Sequence, residues 1–222
     1  MNNKEIIQAF KKLNTSTISD ALDSLGIKDR VVGFTSRSSN TKMVGFAFTV
    51  EYRVFEEPVV GFHNAGNYID NVIEDEVIVV NNNKIDYCTT WGGILTQVAL
   101  KNNVAGVVVH GAIRDVDEIK NSQLPVFSQH VFMCSGKNRV YKFAEQQAIT
   151  LDSFVVNPKD LVVGDENGVL FIPAKHIIEC LERAIIIEET ESKILQAVLV
   201  DNMSLQEARN KYRYDQPWLK NK

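Results

Sequence analysis

The spacing of apolar residues changes period along the chain, and each period predicts a different kind of element. Over residues 43–53 bulky side chains alternate with small or polar ones, which predicts a strand. Residues 104–110 form a nearly continuous apolar run, typical of a parallel strand covered on both faces. Residues 94–100 and 177–200 have helical spacing. Because helices and strands are interleaved, the sequence predicts an α/β sandwich.

Two further motifs predict where helices begin. Thr17 and Asp20 have the spacing of a capping box, with Gly26 in the position of a residue just past the helix end. Ser204 and Glu207 have the same spacing and predict the start of a last helix.

The composition excludes several functional classes. The 222 residues are 45% hydrophobic with a net charge of -4, so we expect one globular domain over residues 1–222 that binds no nucleic acid directly. No apolar run approaches the roughly 20 residues of a membrane span, and the N-terminus lacks a secretory pattern. Three scattered cysteines form neither a disulfide framework nor a zinc pattern. We therefore expect a cytoplasmic protein without a membrane partner.

Two loops carry the candidate chemistry. Gly92 and Gly93 precede a predicted helix, whose first N–H groups attract carboxylate or phosphate. Arg114 and Asp115 follow the buried strand, and open α/β sheets bind ligands at the carboxyl ends of their strands. Arg114 can hold a carboxylate through two hydrogen bonds, and Asp115 can offer an oxygen to Mg²⁺ or Mn²⁺. A cation chelated by a 2-oxo acid would stabilise an enolate, which favours carbon–carbon cleavage.

For each of these motifs a simpler interpretation stays open. Adjacent Arg and Asp residues commonly form a surface ion pair. A Gly-Gly pair before a helix is commonly a tight turn.

Six segments in register resemble one known family, and the match covers nearly the whole chain. They are residues 17–22, 44–50, 92–95, 106–115, 124–127 and 164–173. In this pattern the chain resembles the RraA-like family, which includes class II 4-hydroxy-4-methyl-2-oxoglutarate aldolases and the regulator of ribonuclease E activity.

The resemblance implies a fold, an assembly and an activity. The fold is a swivelling β/β/α-type sandwich that forms homotrimers, often paired into hexamers, with active sites between subunits. The activity is a metal-dependent lyase reaction, the retro-aldol cleavage of 4-hydroxy-2-oxo acids to pyruvate, usually with oxaloacetate decarboxylation. The cofactor would be Mg²⁺, Mn²⁺ or another divalent cation. The alternative is a non-catalytic regulator that binds a protein such as an RNA-degrading endonuclease.

The resemblance also implies roles for the two loops. By position, Asp115 would bind the metal, and Arg114 would bind the carboxylate and keto region of the substrate. The start of the predicted helix would bind the pyruvyl carboxylate through its backbone N–H groups, with a binding segment made of Gly92, Gly93, Ile94 and Leu95.

A carboxylate from the C-terminal helix of a neighbouring subunit belongs to the family site. Here the candidates are Glu188, Glu189 and Glu191, of which we favour Glu191. We accordingly expect the C-terminal helices, over about residues 173–214, to contact a neighbouring subunit.

One position departs from the family pattern. The active aldolases resemble each other in an Asp that precedes the Arg-Asp pair by twenty intervening residues, and this chain has Gly93 there. Losing a positioned acid or base commonly lowers a rate by about 10²–10⁴-fold. Ribonuclease E regulators resemble the family but lack the metal Asp, whereas Asp115 is present here. Both functions therefore stay open.

Three side chains near the pair are secondary candidates. Asp117 and Glu118 follow it, and a solvated turn is the favoured interpretation. His110 lies at the strand end, where a packed histidine is favoured.

Overall fold

The computed structural model describes residues 1–27, 31–57, 60 and 66–219. They fall into two compact units, residues 1–28 with 175–222 and residues 29–174, so a single domain over the whole chain stays a prediction. The elements are, in chain order, α1 (Asn3–Phe10), α2 (Thr15–Ser24), β1 (Val31–Val32), β2 (Thr35–Ser36), β3 (Met43–Val54), a 3₁₀ helix (Asn67–Asn71), β4 (Glu76–Asn81), β5 (Thr89–Trp91), α3 (Gly93–Lys101), β6 (Gly106–Ile113), α4 (Val116–Asn121), β7 (Val126–Val131), β8 (Val140–Glu145), β9 (Ile149–Leu151), β10 (Phe154–Val156), β11 (Leu161–Asp165), β12 (Gly168–Ile172), a 3₁₀ turn (Ala174–His176), α5 (Ile177–Leu199) and α6 (Leu205–Lys211).

Ten of the described strands form one mixed sheet in the unit of residues 29–174. The order is β1-β12-β11-β3-β4-β6-β7-β2, with β5 paired to β6 and β8 paired to β3. The strands β3, β4, β6 and β7 run parallel, and β5 is also parallel to β6. β9 and β10 form a separate hairpin. The carboxyl ends of the parallel strands therefore lie at one edge of the sheet.

Both faces of the central strands are buried. In β4, Ile78 and Val80 belong to one apolar cluster, and Val77 and Val79 belong to another. All eight residues of β6 are buried. A strand covered on both faces has no polar side, which explains the continuous apolar run and confirms the predicted parallel strand.

The other unit is helical, and its second helix begins earlier than its sequence suggests. α2 starts at Thr15 with Asn14 at the N-cap, so the predicted capping box at Thr17 is wrong. The Thr17 hydroxyl instead donates to the carboxylate of Glu188 at 3.0 Å. Gly26 follows the helix with φ +73°, as predicted for a residue just past a helix end.

The C-terminal part of this unit consists of α5 and α6. α5 has 23 residues and packs against α2 with a buried stripe that includes Leu181, Ala184 and Ile187. The predicted capping box at Ser204 and Glu207 is present at the start of α6. With the mixed sheet and this C-terminal helix, the predicted α/β fold class is confirmed.

Gly45 in β3 lies where the sheet is too tightly packed for a larger side chain. A Cβ there would lie 2.5 Å from the carbonyl oxygen of Asp75 and 2.9 Å from the Cβ of Ala105. Because the oxygen belongs to the backbone, we expect Gly45→Ala to lower the free energy of unfolding by about 1–3 kcal/mol in chemical denaturation. Gly33→Ala is the control, since nothing lies within 4 Å of its Cβ position. Equal losses in the two variants would contradict this packing.

Candidate active site

The pairing of β5 with β6 brings the two candidate loops together. Trp91 pairs with Ile113, and the backbone N–H of Arg114 donates to the carbonyl oxygen of Trp91 at 3.1 Å. Each strand ends at this point, so Gly92 and Arg114 emerge side by side from the same edge of the sheet. The structure thus places the predicted loops next to each other.

The start of α3 is held by its own residues. Gly92 is the N-cap, and its carbonyl oxygen accepts from the N–H of Thr96 at 3.1 Å and from the Thr96 hydroxyl at 3.0 Å. The indole Nε1 of Trp91 donates to that hydroxyl at 2.9 Å. Because the first intrahelical bond is made by Thr96, the N–H groups of Ile94 and Leu95 precede the helical hydrogen-bond ladder. A helix start of this kind attracts carboxylate and phosphate groups.

Asp115 connects the two loops. Its Oδ2 accepts from the N–H of Gly93 at 2.8 Å and lies 3.4 Å from Nε of Arg114. Its backbone is left-handed, with φ 57° and ψ 42°, and forms the N-cap of α4. A Cβ at Gly92 would lie 2.6 Å from Oδ2 of Asp115, so any larger residue there would displace this carboxylate.

Glu118 fills the space beside Gly93. A Cβ at position 93 would lie 2.0 Å from Oε2 of Glu118 and 2.9 Å from its Cδ. The solvated turn expected at this point is helix α4, and its first turn carries Glu118 three residues after Asp115. A second carboxylate therefore lies where the family pattern places the side chain that this chain lacks.

The interpretation of the sequence undervalued Glu118, although a signal was present. Residues three apart lie on the same side of a helix, so a helix capped by Asp115 places Glu118 on the side of Asp115. Recognising this requires knowing that a helix, and not a turn, follows the Arg-Asp pair.

These loops border a cavity of about 420 Å³, within the size range of small-molecule sites. Arg114 and Asp115 line it, together with the exposed Asp70 and Lys137. Its remaining lining residues are Gly66, Asn67, Ile69, Thr89, Thr90, Trp91, Gly92, Gly93, Ile94, Leu95, Val98, Ser135 and Gly136. All the predicted substrate-binding residues therefore border one cavity.

The donor set at this cavity suits a hard divalent cation. Among the described residues, no group of three or more His, Cys, Asp and Glu side chains is placed to hold a metal ion. Asp115 lines the cavity and binds the N–H of Gly93. Glu118 supplies a second carboxylate beside Gly93, but it lines a neighbouring pocket with Gln97 and Asn121 and not the cavity itself. Mg²⁺ commonly uses one or two protein carboxylates and completes its shell with water and substrate oxygens, so these residues fit such an ion.

The candidate glutamates of α5 belong to the helical unit. Glu188 accepts from Thr17, and Glu189 is exposed. Burial, followed by the charges of Glu188 and Asp20, raises the pKa of Glu191, while a hydrogen bond from Tyr214 opposes this shift. The role of Glu191 in a neighbouring subunit stays a prediction.

His110 is a packed side chain of β6. Its Nδ1 lies 2.9 Å from Oδ1 of Asn81, and its Nε2 lies 3.3 Å from Oδ1 of Asp152. Burial lowers the pKa of His110, with the Asp152 carboxylate opposing the shift. It is not among the residues that line the cavity.

The chain resembles two curated proteins over most of its length. The chain is 43% identical over 214 residues to protein DlpA of Legionella pneumophila, covering 96% of this chain but only 35% of DlpA. A second relative is a Halalkalibacterium halodurans protein that is provisionally named 4-hydroxy-4-methyl-2-oxoglutarate aldolase. It is 27% identical to this chain over 182 residues, which cover 81% of this chain and 82% of the relative. This chain thus spans about a third of the length of its Legionella relative.

Solved structures have the same fold. An uncharacterized protein from Pseudomonas syringae superposes with a TM-score of 0.86 at 37% identity, covering 94% of both chains. Streptomyces coelicolor RraAS2, described as an unusual member of the RNase ES inhibitor RraA family, superposes with a TM-score of 0.78 at 22% identity, covering 86% and 97%.

The described helices include none that is long and apolar enough to span a membrane. The family model RraA-like (Aldolase/RraA) matches residues 15–171, a range that contains the paired strands, both candidate loops and Glu118. The chain therefore belongs to the RraA-like family.

Proposed function

We propose that this protein is a divalent-metal-dependent carbon–carbon lyase acting on small 2-oxo acids. The reaction is the retro-aldol cleavage of 4-hydroxy-2-oxo acids to pyruvate, the decarboxylation of oxaloacetate, or both. The observation that carries the proposal is the pair of carboxylates, Asp115 and Glu118, beside Gly93 at the start of α3. The name of the Halalkalibacterium relative also supports it.

Arg114 and the start of α3 would bind the 2-oxo acid. Both border the cavity, and the guanidinium can hold a carboxylate or a developing enolate oxygen through directed N–H groups. The N–H groups of Ile94 and Leu95 would receive the remaining carboxylate oxygens at the positive end of the helix. This orients the keto group toward Asp115.

Asp115 and Glu118 would hold the Mg²⁺ or Mn²⁺ ion, directly or through water. The cation would supply a positive charge that polarises the keto oxygen of the substrate. Glu118 would also take the acid–base role that the family pattern gives to an Asp at position 93. In retro-aldol cleavage the base accepts the proton of the C4 hydroxyl as the C3–C4 bond breaks, and C3 is then protonated to give pyruvate.

We further propose that the site is completed in an assembly. Homotrimers, alone or paired into hexamers, would allow a glutamate of α5, with Glu191 favoured, to reach the cavity of a neighbouring subunit.

The first test measures pyruvate release from oxaloacetate and from 4-hydroxy-4-methyl-2-oxoglutarate with Mg²⁺, with Mn²⁺ and with EDTA. We expect activity that EDTA abolishes and that Asp115→Asn lowers at least about 100-fold, because a charged ligand is lost. Asparagine tolerates the left-handed backbone, so this variant should keep its stability. Asp117→Asn, which changes the exposed neighbouring carboxylate, is the control and should retain activity.

If concentrated protein with the metal released pyruvate no faster than the metal without protein, the result would contradict the proposed lyase activity. If such a protein still bound and inhibited an RNA-degrading endonuclease after Asp115→Asn, the regulator would be the better description.

The second test removes the carboxylate at position 118 and then places one at position 93 instead. Glu118→Ala should lower kcat/KM by about 10²–10⁴-fold through loss of the acid–base group. Gly93→Ala should also lower it, since its Cβ would push the Glu118 carboxylate aside. The double variant Gly93→Asp with Glu118→Ala should regain part of the activity lost in Glu118→Ala. Near-normal turnover by Glu118→Ala would show that Glu118 takes no part.

A further inference from the structure

Thr90 has an unusual hydroxyl group at the wall of the cavity. The residue lines the cavity and is only 5% exposed. Its Oγ1 is buried, and no hydrogen-bond partner for it exists among the described residues. Because a buried hydroxyl without a partner is unfavourable, such a group in a native fold points to a missing ligand or water.

The polar groups on either side of Thr90 are satisfied within the protein. The Thr89 hydroxyl donates to the carbonyl oxygen of Cys134 at 3.1 Å. The indole of Trp91 donates to Thr96. The register of β5 on β6 shifts between Thr89 and Trp91, so Thr90 lies at an irregularity of the strand. Its unpaired hydroxyl is therefore a local exception in a strand whose other polar side chains are paired.

The position of Thr90 relates it to a particular part of the substrate. Thr90 lies in β5 and precedes Gly92 by two residues, so the chain places the two at most about 7 Å apart. The proposed binding site for the 2-oxo acid unit begins at Gly92. Two residues back along the strand, a polar group would meet atoms beyond C3 of a substrate whose carboxylate lies at the start of α3.

We propose that the Thr90 hydroxyl is a specificity determinant that hydrogen-bonds an oxygen carried on C4 of the substrate. This inference rests on the proposed function for the orientation of the substrate. A hydroxyl both donates and accepts, so it suits the C4 hydroxyl of a 4-hydroxy-2-oxo acid and the C4 carboxylate of oxaloacetate. Thr90 would then distinguish these substrates from shorter acids that end at the oxo-acid unit.

The experiment compares Thr90→Val and Thr90→Ser with the wild-type protein. Valine keeps the shape and removes the hydroxyl, so we expect KM for oxaloacetate and for 4-hydroxy-4-methyl-2-oxoglutarate to rise about tenfold. Inhibition by oxalate, which has no atom beyond the oxo-acid unit, should change less than about twofold. Thr90→Ser should restore the wild-type KM. The melting temperature of Thr90→Val should stay equal or rise, because an unpaired buried hydroxyl is removed.

Equal weakening of oxalate and oxaloacetate by Thr90→Val, together with a lower melting temperature, would assign Thr90 a purely structural role and overturn the proposal. An unchanged KM would overturn it as well. If the protein lacks lyase activity, calorimetric binding of oxaloacetate and oxalate in Mg²⁺ replaces the kinetics. A selective loss of oxaloacetate binding in Thr90→Val would then support the contact even though the proposed reaction had failed.

Discussion

The parallel pairing of β5 with β6 is the constraint on which the site depends. Its register sets Trp91 opposite Ile113, and the hydrogen bond from Arg114 to Trp91 fixes where both strands end. A slip of one residue would turn the side chains of the strand to the opposite face. The contact between Asp115 and the N–H of Gly93 would then be lost. The site is thus a consequence of strand register, because the buried sheet holds the loops in place.

The left-handed backbone of Asp115 supplies the second constraint. It turns the chain directly from β6 into α4 and leaves the carboxylate facing the start of α3. The first turn of α4 then carries Glu118 back to Gly93. Asp115 therefore turns the chain, occupies the N-cap position of α4 and is the candidate metal ligand. Aspartate suits all three, since it tolerates this conformation better than most residues and carries the charge that a hard cation requires.

Elements that depend on residues close in sequence could be predicted from local patterns. The apolar run of β6 and the helical spacing of α3 identified both elements, and the rule for strand ends brought Arg114 toward Gly92. Other features of the structure were predicted wrongly or missed. Thr17 lost its predicted cap role because Asn14 starts α2 earlier. Glu118 could have been placed beside Asp115 had the helix after the Arg-Asp pair been predicted. The unpaired hydroxyl of Thr90 could not be predicted, because it depends on the surroundings of β5 in the fold.

The structure changes the interpretation of Gly93. In the sequence, Gly93 replaces the Asp of the family pattern, and the loss of this carboxylate counts against catalysis. In the fold, Gly93 leaves open the space that the Glu118 carboxylate fills, and a side chain at 93 would collide with it. An Asp at 93 would push the Glu118 carboxylate out of its present position, so the two arrangements are alternative ways of placing one carboxylate beside Asp115.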